Sequence, residues 1–499
     1  MTDNAISSVT AALPASSTGA SSGTPKEAKV RLTAPRSTWM WAIGFLLSLS
    51  LTGLSLYPAL LFTVFILLNR FVNDRTDFLV MLTILVTSPG FISRDVLPLN
   101  FIDPLLALSC IGMLVYRKNV MVKKVTIATF GYVIFLLVMS TFSDETFSIQ
   151  ILTMRRYMSI LVFILPLWVY ANRRFDINEL YRKVLVYTLI ISAFYVLDGF
   201  IFKGWILLPG TFSQYETPST FWDLHWAPTV MKFPRKYPSG IYIIILAAYP
   251  LARHYKLRWW QWALIVGAFA AMRTMTVIAA FVLTYVTFQG RFKQFAKYFA
   301  LATVGITILY FVDSSTGGYM RIESTVQQFA ALNESQDSEE LSEFGSTRMA
   351  QIIPKFEALA EQNCLLQGFG FIHPTKTTLP RYQIHNDLYS DISLADENAA
   401  YVEVTQFNTI LHTGIIGLIV QTFFYVYLYF IIRRRTGHAG FYLSTIMMAS
   451  IMGIGGFGGL TQDDSLPYVA LALGACLLDA RPGMGPRKAN ASAQAENPK

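Results

Sequence analysis

Three arginines and a few proton acceptors stand out by position rather than by number. Arg235 and Arg348 lie in polar stretches, Arg273 stands between two apolar runs, Glu403 lies next to another apolar run, and His385 is followed by Asn386. His412 lies inside an apolar run. A guanidinium is a rigid fork of donors that can neutralise an oxyanion without a metal. A nearby carboxylate or imidazole can take the proton of an attacking hydroxyl. Each residue also has a plainer reading, since arginines solvate loops and interfacial histidines are often structural. Arg273 resists that reading most, because an unpaired cation within apolar sequence costs about 2.5–3.5 kcal/mol on insertion scales.

Other chemistries lack their signals. There is no Walker loop, dinucleotide fingerprint, HExxH or GxSxG, so ATP hydrolysis, hydride transfer, zinc proteolysis and α/β-hydrolase chemistry are not expected. Cys110, Cys364 and Cys476 are the only cysteines, which leaves no disulfide framework and no thiolate metal site. No cofactor and no metal are expected. The formal charge of +9 does not point to nucleic acid, because the Lys and Arg residues sit beside apolar runs rather than in a solvated patch.

The elements that must position these residues are helices in lipid. Hydrophobic residues make up 53% of the chain and charged residues 14%, with a mean hydropathy of +0.43. Apolar runs near 38–54, 57–71, 77–92, 101–116, 125–142, 156–171, 184–202, 240–252, 259–272, 274–289, 298–312, 405–432, 440–459 and 466–479 approach the length of about twenty residues that crosses a bilayer. They predict an all-α polytopic membrane protein with about 12–14 transmembrane helices.

The basic residues orient it. With the N-terminus inside, Arg70, Arg75, Arg117, Lys118, Lys123, Lys124, Arg173, Arg174, Arg182 and Lys183 fall in cytoplasmic loops, as do later groups around Arg253, Arg291 and Arg433. Both termini come out cytoplasmic. Arg94, Arg155 and Arg156 fall in short outer loops, against the scheme, and Arg273 marks an outer turn. The expected organisation is a disordered tail at 1–37, a bundle at 38–312 with an outer loop at 203–239, a large periplasmic loop at 313–404, C-terminal helices at 405–480 and a second tail at 481–499. Trp205, Trp222 and Trp226 in the first loop suit sugar stacking or an interface belt. In the second, Met349, Ile352, Ile353, Phe356 and Leu359 have the spacing of an amphipathic helix, with a kink expected at Pro354.

Four segments, in order, resemble the O-antigen ligase and polymerase superfamily, the membrane enzymes that join polyprenyl-diphosphate-linked glycans. They are Phe233-Pro234-Arg235-Lys236-Tyr237-Pro238-Ser239-Gly240 before a span, and Met272-Arg273-Thr274 opening a span. Ser346-Thr347-Arg348, with its amphipathic stretch and Cys364-Leu365-Leu366-Gln367-Gly368-Phe369-Gly370, is the third, and Phe407 to Leu418 is similar to the family's membrane re-entering segment. The resemblance covers about 233–432.

It implies a metal-independent glycosyltransferase of the bacterial inner membrane, a polymerase of exopolysaccharide or O-antigen repeat units acting at the periplasmic face. Arg235, Arg273 and Arg348 would hold the diphosphate, and Arg348 would also serve in catalysis. The general base stays open between Glu403 and His385. Many ligases carry His-Asn a little upstream of the Gly that matches Gly414, where this chain has Glu403-Val404, and its own His385-Asn386 lies further upstream. An acid at that place is frequent in exopolysaccharide polymerases. Implied partners are the lipid-linked oligosaccharide, membrane lipid, a flippase and a chain-length regulator, with no nucleic acid. The alternatives are a ligase moving glycan onto lipid A core and a polysaccharide flippase or transporter, for which paired helical repeats and charges at mid-span would speak. No internal repeat is found.

Overall fold

The computed structural model describes residues 29–51, 56–87, 102–115, 120–171, 173–202, 207, 242–272, 275–289, 347–373, 377, 379–382, 404–454, 459–462 and 465–480. About 81% of the described residues are helical. In chain order the helices are α1 (Arg36–Leu51), α2 (Leu56–Asn73), α3 (Arg75–Val86), α4 (Ile102–Val115), α5 (Val120–Ser140) and α6 (Phe147–Met158). A 3₁₀ turn, Ser159–Phe163, joins α6 to α7 (Ile164–Val169), and α8 (Ile177–Val196) follows. Next come α9 (Ile244–Arg253), α10 (Trp259–Met272), α11 (Met275–Gln289), α12 (Thr347–Glu361), α13 (Thr405–Arg433), α14 (Ala439–Ile454) and α15 (Leu466–Asp479). Where they are described, the apolar runs fall largely on helix; 298–312 and parts of 38–54, 77–92, 240–252 and 440–459 lie outside the described residues.

The stretches Val122–Ser140, Phe147–Val169 and Thr405–Arg433 are long and apolar enough to cross a membrane. Large apolar side chains face outward, among them Leu61 and Phe65 on α2, Ile127 and Ile134 on α5, and Phe423 on α13. Such continuous apolar faces are rare on proteins surrounded by water, and lipid accounts for them. In contrast, α15 is buried from Leu466 to Leu478, so it is apolar all round and forms the centre of the bundle.

One end of the bundle holds charge inside. The Lys183 Nζ lies 2.6 Å from Asp74 and 3.8 Å from Asp77, and donates to Thr38 Oγ1 at 3.0 Å. Tyr187 donates to Asp77 at 3.2 Å, and Arg70 lies 3.9 Å from it. Lys183, expected in a cytoplasmic loop, is instead buried within α8, because acids on and just before α3 compensate its charge.

The chain before α1 also departs from expectation. Residues 29–35, expected to belong to a disordered tail, dock on the segment after α9, while 1–28 lie outside the described residues. Strand β1 (Val30–Arg31) pairs in parallel with β2 (Tyr255–Lys256), and Lys29 Nζ donates to Leu251 O at 2.8 Å. Two backbone bonds, Val30 to His254 and Leu32 to Lys256, outweigh the polar composition that read as disorder.

His254 at this junction carries a pH prediction. Its ring faces His438 and Tyr181, with centroids 5.5 Å and 5.1 Å away. Burial first, then the charges of His438, Arg253 and Lys29, push its pKa down to about 4. The unfolded chain takes up a proton near pH 6.5 and the folded chain does not, so this contribution is intact above about 6.5 and is lost as pH falls toward 4. Thermal unfolding should therefore show a melting temperature that drops from pH 6.5 to 4.5, with a shallower slope in His254→Asn. Parallel curves for the two proteins would refute it.

Candidate functional site

Helix α13 is broken. Gly414 has φ 66° and ψ −172°, a conformation essentially restricted to glycine, so the helix stops after Thr413 and restarts at Ile415. A break frees backbone donors and acceptors, which apolar surroundings penalise unless they find partners. Segment 364–370 supplies them. Ile415 N–H donates to Leu365 O (3.0 Å), Ile416 N–H to Leu366 O (3.2 Å), and the freed Leu411 carbonyl accepts from Phe369 N–H (2.8 Å). Gly368 and Gly370, which close the third resembling segment, both have positive φ, and a Cβ on Gly368 would stand 2.7 Å from Gly414 N.

The segment is clamped on its other sides as well. Ile352 and Leu359 of α12 share a core with Phe369, Ile372, Val404 and Leu411, so the amphipathic helix packs on this site. It runs as one helix through Pro354, and Phe356 is left exposed. From the α5–α6 turn, Ser143 Oγ donates to Phe371 O at 3.3 Å and Asp144 N–H to the Tyr382 hydroxyl at 2.9 Å. Arg381 pairs with Asp144 and donates to Gln362 at 3.0 Å. Helix α6 adds Thr153, which donates to Ile372 O at 2.9 Å.

His412 sits at the centre of these contacts, 4% exposed. Its Nδ1 hydrogen-bonds the Tyr157 hydroxyl at 3.0 Å, and Phe371 stacks on its ring at 5.7 Å between centroids. These contacts tie α6, the 364–373 segment and α13 together, and the buried Nε2 of the ring has no hydrogen-bond partner among the described residues.

The third and fourth of the segments read from the sequence therefore interlock, although about forty residues separate them along the chain. Arg348 lies in the first turn of α12, one turn ahead of Ile352. Glu403 immediately precedes Val404, the N-cap of α13, but is itself outside the described residues, as are Arg235, Arg273, His385 and Asn386. The three loop tryptophans Trp205, Trp222 and Trp226 are outside them too. Thr153 and Tyr157 of α6 were not singled out by sequence reasoning. The available signal was the neighbouring Arg155-Arg156 pair, which broke the charge rule.

Beside the first turn of α13 lies a cavity of about 260 Å³ between α13 and α14, lined by Thr405, Gln406, Thr409, Gln421, Tyr425 and Ser450 among others. Gln406 Nε2 donates to Ser450 O at 2.8 Å, whereas its buried Oε1 has no hydrogen-bond partner among the described residues. The lining is uncharged and mostly apolar, with Leu418, Val426, Leu443, Ile446 and Leu460 beside the hydroxyls and amides. Among the described residues no three His, Cys, Asp or Glu side chains gather where they could hold a metal. No family model and no curated protein matches this chain.

Proposed function

We propose that the chain is a polytopic enzyme of the bacterial inner membrane, with both termini cytoplasmic, that joins polyprenyl-diphosphate-linked oligosaccharides at the periplasmic face as a repeat-unit polymerase. The observation that carries the reading is the lock between 364–370 and the break at Gly414. It unites two segments that resemble the glycan-joining superfamily, with the Arg348-bearing helix packed on them. A broken helix with satisfied backbone groups is also how non-helical chain is tolerated at membrane depth.

The reaction would run as follows. A hydroxyl oxygen of the acceptor unit attacks the anomeric carbon of the donor glycan, forming the new glycosidic bond. The bond from that carbon to the diphosphate oxygen breaks, and its electron pair stays on the leaving polyprenyl diphosphate. Arg235, Arg273 and Arg348 neutralise the charge that develops there, and Glu403 or His385 takes the hydroxyl proton.

Cells lacking the protein are the test. A polymerase predicts accumulation of single lipid-linked repeat units on the periplasmic side. Accumulation of full-length polymer on its carrier would instead make the protein a ligase, and units trapped on the cytoplasmic side would make it a flippase.

A further inference from the structure

Adjacent arginines on α6 meet different fates. Arg155 lies 2.9 Å from Asp103 of α4, so its charge is compensated. Arg156 is half-buried and makes no hydrogen bond or ion pair among the described residues. Helix geometry explains the difference. Thr153 and Tyr157, one turn apart, face Ile372 and His412. At about 100° per residue, Arg156 lies roughly 60° from Thr153, beside that face, while Arg155 lies about 160° away, toward α4.

Among the described residues, Asp103 pairs with Arg155 and Asp144 with Arg381, and no acid pairs with Arg156. An uncompensated guanidinium against an apolar bundle is costly unless an anion arrives to meet it. The positive-inside rule disfavours a cation at this outer position, and anion binding supplies a reason to keep one there.

We propose that Arg156 is an anion-binding residue of this site, contacting the diphosphate of the lipid-linked substrate from α6. That the anion is a diphosphate rests on the polymerase reading; that Arg156 binds an anion does not. A guanidinium gives two parallel bonds to phosphate oxygens, so lysine would replace its charge but only part of its grip.

The test uses the full chain, purified in lipid nanodiscs, with inorganic pyrophosphate as the binding probe and glycan transfer as a second readout. Arg156→Gln should weaken pyrophosphate binding by about tenfold or more and slow transfer at least as much, which is the loss of a charge-assisted contact. Arg156→Lys should recover part of both, and it serves as the graded variant should the Gln form fail to fold. Arg155→Gln, whose partner is Asp103, should stay within about twofold of wild type. Pyrophosphate binding that depends on Arg156 in a protein that transfers no glycan would keep the anion site and sink the polymerase reading. Pyrophosphate binding and transfer at wild-type levels in both Arg156 variants would overturn the proposal and leave the polymerase reading intact.

Discussion

Gly414→Ala is expected to abolish transfer, with a loss of about a hundredfold or more, while the protein still reaches the membrane. Two costs combine at this position. A side chain at φ 66° and ψ −172° is strained by roughly 1–3 kcal/mol. The added Cβ would also overlap the Leu366 carbonyl and approach Gln367 N to 2.5 Å, and these are backbone atoms that cannot swing aside. The segment 364–370 must therefore leave α13, and Ile415, Ile416 and Leu411 lose their backbone partners. Displacements of about 1 Å around reacting groups can cost a hundredfold in rate, and this one would be larger. Limited proteolysis should show the segment newly cleaved in Gly414→Ala. Ile419→Ala, on the outward face, should leave both readouts unchanged. Wild-type transfer by Gly414→Ala would mean that the lock has no part in the chemistry.

The second large effect concerns the proton. Val404, 7% exposed, is anchored in the core shared by Ile352 and Leu411, which fixes where the chain enters α13. Glu403 is the residue just before it in the chain. Glu403→Gln keeps shape and removes basicity, so turnover should fall by about 10²–10⁴-fold while binding of the lipid-linked donor is retained. His385→Ala should cost much less. A reversed pair of results would assign the base to His385 and make the stretch from 387 to 401 a loop that folds back.

What could be read in advance follows from range. The helices were legible because the apolar content of a spanning helix is local, and α5, α13 and α15 lie where the runs of 125–142, 405–432 and 466–479 placed them. The break in α13 had no local signal beyond the resemblance of Phe407–Leu418 to a membrane re-entering segment. Gly414 sits within the run of 405–432, where a glycine signals only about 1 kcal/mol of helix cost. The partner that makes the break affordable lies at 364–370, and pairing over such a distance leaves no periodicity to detect. Lys183 was placed in a loop for the same reason, since Asp74 is 109 residues away. The docked residues 29–35 form a two-residue strand, too short to carry an alternation. At the site, the segment motifs and Arg348 were legible as types. The contribution of α6 was visible only as an arginine pair on the wrong side of a charge rule, and pairing with Asp103 accounts for just one of the two.

The central claim is that this chain itself joins lipid-linked glycans, using arginines in place of a metal. Purified protein in nanodiscs, given a polyprenyl-diphosphate-linked oligosaccharide and excess EDTA, measures it directly. The account predicts a ladder of products lengthened by whole units, with one polyprenyl diphosphate released for each bond formed. Unchanged donor in a preparation shown to bind it, or growth that requires added magnesium or manganese, would contradict it.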